Sequence, residues 1–322
     1  MNTKPAIPWG SRGACLAVIL VALGTPSAAR AAGGEFTFTR ATDRLAIAWD
    51  GRPVAEFVFR DEKILRPYFA NVHTPDGRKV TRNHPPVAGQ DATDHDTMHP
   101  GLWLAFGDLG GQDFWRNKAR MEHRRFTEPP TAANGRLTFA AECRLLAADG
   151  TPMGSLTNRF ALSRLPRAWL LVWEADFHAD AGDLTFGDQE EMGFGARVAT
   201  GITEKNGGVI RSSAGLKSAK STWGQPAAWC DYSGVVRGQP LGLTVMTDPA
   251  SFRPSWWHNR DYGLMLANPF GRAAMKQGAP SSVTIAHGES FRLRFGAAIH
   301  QGQPENPGAC YDAFLAVLSG PP

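Results

Sequence analysis

Apolar and polar positions alternate with a period of two along much of this chain, the pattern of half-buried strands. Phe36-Thr37-Phe38-Thr39 and residues 45–49 and 54–59 open it, and Asp50-Gly51 predicts a hairpin turn between the last two. After an irregular passage from Arg66, interrupted by Pro85-Pro86, the pattern returns at residues 137–146, 155–162 and 169–177. Asp149-Gly150 and Leu165-Pro166 punctuate those segments. Further strands are predicted at 195–199, 208–211, 228–232, 241–246, 264–268, 283–285 and 290–298. Only residues 309–318 have a helical pattern. Strands without βαβ alternation predict an all-β fold, a large antiparallel β-sandwich with a short C-terminal helix. The 35 glycines and 23 prolines fit many short strands joined by turns.

The first 31 residues read as an export signal. Lys4 and Arg12 precede an apolar run from Ala14 to Leu23, too short to span a bilayer, and Ala29-Arg30-Ala31 offers a cleavage site. The expected mature protein is one sandwich domain, residues 32–322, periplasmic or secreted. Removing Lys4, Arg12 and Arg30 lowers the formal charge from +4 to +1. No basic stripe remains to predict nucleic acid, and no mature segment predicts a membrane span. Cys143, Cys230 and Cys310 allow at most one disulfide, so the fold must be held by its core.

Three segments concentrate chemistry. Asp94 to Trp115 carries His95, His99, four aspartates, Trp103 and Trp115 around glycine-rich turns. His95 and His99 can ligate a divalent metal, but no third ligand is fixed by local spacing, so no metal or other cofactor is assigned. In the second segment, Glu191, Gly193, Gly195 and Arg197 fall on one face of a strand, with the glycines expected to leave room for a ligand. The third, Trp256-Trp257-His258-Asn259-Arg260-Asp261, joins rings to charged groups, with Trp257 a candidate sugar platform. His258 is a candidate acid or base, oriented by Asp231 or Asp261. Serine-hydrolase, P-loop and dinucleotide fingerprints are missing from the sequence.

Taken together and in order, His95…His99-Pro100-Gly101-Leu102-Trp103, Gly107-Asp108…Asp113-Phe114-Trp115, Glu191 to Arg197, Trp229-Cys230-Asp231-Tyr232-Ser233-Gly234, and Trp257 to Gly263 with Ala267-Asn268-Pro269-Phe270-Gly271 resemble the PmoA-like family of exported bacterial proteins. The resemblance covers nearly the whole mature chain. Pro100 stands where many relatives carry arginine. The resemblance implies a large β-sandwich, found often among polysaccharide-degrading functions. Its size and strand order are also similar to the galactose-mutarotase supersandwich.

The resulting expectation is a carbohydrate-active enzyme, an epimerase, lyase or glycoside hydrolase. A carboxylate (Glu191 or Asp231) serves as base and a histidine (His258 or His95) as acid. His99, Trp103, Arg197, Trp257, Arg260, Asp261 and Asn268 are the expected substrate contacts, and a carbohydrate or other small polar molecule is the expected partner. The alternatives are a non-catalytic glycan-binding protein and, following the family's methane-oxygenase label, a metal-dependent oxygenase using His95 and His99.

Overall fold

The computed structural model describes Met1, residues 34–302 and residues 307–320; the expected export signal falls outside them. The chain runs through β1 (Phe36–Arg40), β2 (Arg44–Trp49), β3 (Arg52–Val58), β4 (Tyr68–Ala70) and β5 (Leu102–Phe106). Four long strands follow: β6 (Arg120–Ala133), β7 (Arg136–Leu146), β8 (Pro152–Leu165) and β9 (Ala168–His178). Then come β10 (Leu184–Phe186), β11 (Met192–Arg197), β12 (Val209–Ser212) and the short helix α1 (Ala219–Thr222). β13 (Trp229–Val236), β14 (Gln239–Thr247), β15 (Trp256–Trp257), β16 (Leu264–Asn268), β17 (Val283–Ile285), β18 (Ser290–Gln301) and helix α2 (Pro307–Ser319) complete it.

Two antiparallel eight-stranded sheets face each other. The first has the order β1-β2-β3-β4-β5-β11-β16-β15, the second β12-β13-β14-β18-β9-β8-β7-β6, and β10 pairs with β17 separately. Their inner faces meet in one aromatic core. Phe57 lies 5.1 Å from Phe139 and 4.8 Å from Phe160, while Trp173 of the second sheet packs 5.5 Å from Phe194 of the first. Each such ring removed from water contributes roughly 1.5–3 kcal/mol. With no disulfide among the described residues, Cys143, Cys230 and Cys310 being free thiols, this core carries the fold.

Both sheets are also covered outside. α2 lays Phe314 over Leu170, Val172, Met246 and Ala298. Gly296 permits that approach, because a Cβ there would lie 2.7 Å from the Phe314 ring. On the outer face of the first sheet, Tyr68, Trp103, Ala105, Leu264 and Leu266 form a second cluster beneath loops that bring in Ile64 and Trp115. β5 is consequently buried along its whole length. A strand covered on both faces reads as a continuous apolar run, so β5 shows no alternation to predict it.

The strands predicted from alternation are present, with β11 displaced from the expected 195–199 to Met192–Arg197. β6 escaped prediction for a different reason: its pairing with β7 shifts register at three places, which breaks its period. Among the described residues, no helix is long and apolar enough to cross a membrane.

Candidate functional site

The candidate site is built on that covered outer face. The long connection from β4 to β5 crosses it, and three buried arginines hold the connection down. Arg82 donates to the carbonyls of Ala92, Asp94, His95 and His99 at 2.6–3.3 Å. Arg66 donates to the carbonyls of Met98, Phe114 and Trp115 and to Asn117 Oδ1. Burial pushes the Arg66 guanidinium down to about 9 and that of Arg82 to about 10. The fork geometry of a guanidinium suits this task, since its several N–H groups reach carbonyls that have no strand partner.

Arg197, 1 % exposed, grips the Asp94 carboxylate with both arms, at 2.9 and 3.1 Å. Burial opposes the Asp94 charge, but Arg197 and His95 outweigh it and hold the carboxyl well below the usual range. The same carboxylate accepts His95 Nδ1–H at 2.7 Å. In the neutral imidazole that bond selects the Nδ1–H tautomer, in which Nε2 is the acceptor. His95 sits at φ 50, a left-handed position that branched or bulky residues avoid. Its ring stacks between Tyr262, 5.9 Å away, and His99, 4.9 Å away. His99 stacks in turn on Trp103 at 5.1 Å, and Trp115 closes the column edge-on.

Beside this column is a cavity of about 100 Å³ lined by His95, His99, Glu191, Arg116, His258 and Tyr262, among others. Glu191 is ion-paired to Arg116 at 3.1 Å. His258 Nδ1 lies 3.2 Å from Glu190 Oε2, without the angle of a hydrogen bond. Glu190 also accepts from Arg260 at 2.9 Å, and its carboxyl is raised, burial outweighing that guanidinium. Glu190 and Arg260 reach a second, larger cleft of about 710 Å³ with Trp223 and Asp261. The two spaces are thus separated by the Glu190–His258 contact.

A family model described as a family of unknown function (DUF6807) matches residues 44–310. The chain belongs to the DUF6807 family. No curated protein sequence matches it. Among solved structures it is similar to galactose 1-epimerase from Lactobacillus acidophilus NCFM, at 8% identity and a TM-score of 0.43, covering 84% of this chain and 99% of that one. A galactose mutarotase-like protein from Clostridium acetobutylicum matches at 7% identity and TM-score 0.41, covering 83% and 98%. Heparan sulfate lyase HepC (a mutant) from Pedobacter heparinus matches at 9% and 0.39, covering 85% and 36%. None of these reaches a TM-score of 0.5, and the architecture of this DUF6807 chain rests on its own strand order.

Several expected site residues do converge: His95, His99, Glu191 and His258 share the small cavity, Arg197 supports it, and Arg260 and Asp261 line the cleft. Others do not. Asp231 is fully buried on the outer face of the second sheet, bonded to Ser233, Thr244 and His300, so it is neither base nor orienter of His258. Trp257 is fully buried and donates to Ala227, and Trp103 is fully buried under His99, so neither offers a face to a sugar. Asn268 spends its amide on the Gln189 and Glu190 carbonyls and on the Phe270 and Gly271 N–H groups, which makes it a loop clamp. The space above Gly195 is occupied by Trp103 and not left for a ligand.

His258 is the remaining correction. Burial and Arg260 push its imidazole down to about 3, so it is neutral near pH 7 and does not serve as an imidazolium acid. His99 is likewise lowered, by burial and Arg197. His95 and His99 stack face to face, and Arg197 Nη1 stands 3.3 Å from His99 Nδ1, where a cation would have to sit. Among the described residues no group of three or more His, Cys, Asp and Glu is arranged around a metal. Arg66, Arg82, Arg116, Glu190 and Tyr262 were not among the expected site residues, although Glu190 adjoins Glu191 and Tyr262 adjoins the Trp256–Asp261 segment in the sequence.

Proposed function

We propose that this DUF6807 protein is an exported carbohydrate-active enzyme whose catalytic centre is the cavity beside His95. The observation that carries the reading is the Arg197–Asp94–His95 relay, 2.9 and 2.7 Å at its two links. A carboxylate that holds one ring nitrogen protonated makes the other a base, and a buried guanidinium keeps that carboxylate ionised. In this reading His95 Nε2 takes a proton from a sugar carbon or hydroxyl. A carboxyl group returns one on the other side, either Glu191 or the burial-raised Glu190. Epimerisation, elimination and hydrolysis all use such a pair. The 100 Å³ cavity admits the reacting end of a saccharide, and the 710 Å³ cleft has room for the rest.

A non-catalytic glycan binder is supported by a separate observation: Trp223 lies in the larger cleft, with Arg260 5.8 Å and Lys276 5.6 Å from its ring. The two readings part on one experiment. Mature protein is screened by thermal shift against mono- and oligosaccharides, and the sugars that bind are assayed for conversion by NMR. Catalysis predicts that His95→Gln keeps binding and loses at least a hundredfold in turnover, and that one of Glu191→Gln and Glu190→Gln, whichever carboxyl returns the proton, does the same. Binding with no conversion by the unmodified protein sinks the enzymatic reading and leaves the binder.

A further inference from the structure

The larger cleft carries charge that the acid–base reading does not use. Lys205, Lys220, Arg260 and Lys276 line it. Arg260 is engaged by Glu190 at 2.9 Å, and Lys205 lies 3.7 Å from Asp261. The third carboxylate, Glu204, accepts the Ala219 N–H at 2.8 Å. Four cations thus face three carboxylates, Glu190, Glu204 and Asp261, which leaves one excess positive charge on this concave surface, and no ion pair among the described residues ties down Lys220 or Lys276.

The backbone at one of them is independently unusual. Lys276 has φ 59, a left-handed conformation that glycine would hold with less strain. The turn around it is firmly anchored. Asp188 accepts the N–H groups of Ala273, Ala274 and Ser281 at 2.7–2.9 Å, and Asn268 Oδ1 accepts those of Phe270 and Gly271. The anchored turn holds the Lys276 ammonium 5.6 Å from the Trp223 ring centroid.

We propose that the cleft takes an anionic saccharide, a sugar residue bearing a carboxylate or sulfate. Its charge is met by Lys276 and Lys220, and its apolar ring face rests on Trp223. The proposal rests on the carbohydrate reading above for the ligand being a sugar at all, and adds its charge. A neutral sugar gains nothing from the two unpaired lysines. An anionic one gains charge-assisted hydrogen bonds.

The test is calorimetric titration of the mature protein with three tetrasaccharide sets matched in length: uronate-containing, sulfated and neutral. Lys276→Gly and Lys220→Gln are run alongside. Lys276→Gly removes the charge while relieving the left-handed strain, so a folding defect is not expected, and its melting curve verifies that. The expected result is preference for one anionic set by at least tenfold, weakening with added salt. A loss of tenfold or more in each lysine variant is expected for that set alone. The preferred set tells carboxylate from sulfate. Equal affinity for neutral sugars, no binding of any set, or affinity indifferent to both lysine changes overturns the proposal. His95→Gln separates this from the catalytic reading. Anionic ligands that bind but are never converted leave the cleft assignment standing and remove the enzyme. Conversion of neutral sugars, indifferent to the lysines, does the reverse.

Discussion

Replacing Asp94 with asparagine tests the reasoning about the relay most directly. The change keeps the shape but removes the charge that Arg197 holds at 2.9 and 3.1 Å and that His95 meets at 2.7 Å. Arg197 is 1 % exposed and has no other carboxylate partner among the described residues, and the buried Arg82 lies close enough to repel it. Removing one partner of a fully buried pair costs about 3–5 kcal/mol, because the other charge is left uncompensated. Here the Asp94 side chain is 38 % exposed, so solvent screens part of that loss. About 2 kcal/mol is the expected cost, which lowers the melting temperature of a domain this size by about 3 °C. Urea unfolding of Asp94→Asn measures it, with Asp96→Asn as reference. Asp96 is exposed and, among the described residues, its carboxylate accepts only the Thr97 N–H, so its change should stay within about 0.5 kcal/mol. Nitrogen NMR of the His95 ring should show the Nδ1–H tautomer losing its dominance in Asp94→Asn. Equal stability of the two variants, with the His95 tautomer unmoved, would refute the relay.

Four further outcomes are expected. The histidines His258, held at about 3, and His123, held at about 4 by burial, bind protons less readily folded than unfolded. The unfolded chain therefore takes up protons first. Stability is fully present above pH 6.5 and falls as pH drops toward those values, by up to about 1.4 kcal/mol per pH unit per group, which urea midpoints across pH 7.5 to 4.5 would register. In Gly195→Ala, the new Cβ falls 2.6 Å from Trp103 Cζ2. Such overpacking costs about 1–3 kcal/mol and shifts tryptophan emission, whereas an unchanged melting curve would mean the column has slack. Asp231→Asn should destabilise the protein without altering sugar affinity, since its partners Ser233, Thr244 and His300 lie away from both cavities. Asn268→Ala, which frees two carbonyls and two N–H groups, should lower stability by about 2–3 kcal/mol and loosen the Lys276 turn, seen as faster amide exchange at residues 270–276.

The sequence by itself determined the all-β class, the positions of most strands and the segments that meet at the site. Each of those follows from local information. Alternation sets the buried face of a strand such as β8, and Asp50-Gly51 sets the turn between β2 and β3 whatever lies far away. The face shared by Glu191, Gly193, Gly195 and Arg197 was legible for the same reason, because successive side chains in a strand point to opposite sides. What those side chains meet was not legible. Gly195 makes room for Trp103 and not for a ligand, and Arg197 closes on Asp94, 103 positions away. Neither partner has a local signature. Tertiary structure also decided between neighbours: Glu190 touches His258 and Arg260, while Glu191 turns to Arg116. It took Asp231, Trp257 and Asn268 out of the site by burying them among their own partners. It removed His258 as an imidazolium acid by desolvation. A residue's type tells what it is able to do in water, whereas its charge state and reach depend on the dielectric and the groups that the fold packs around it.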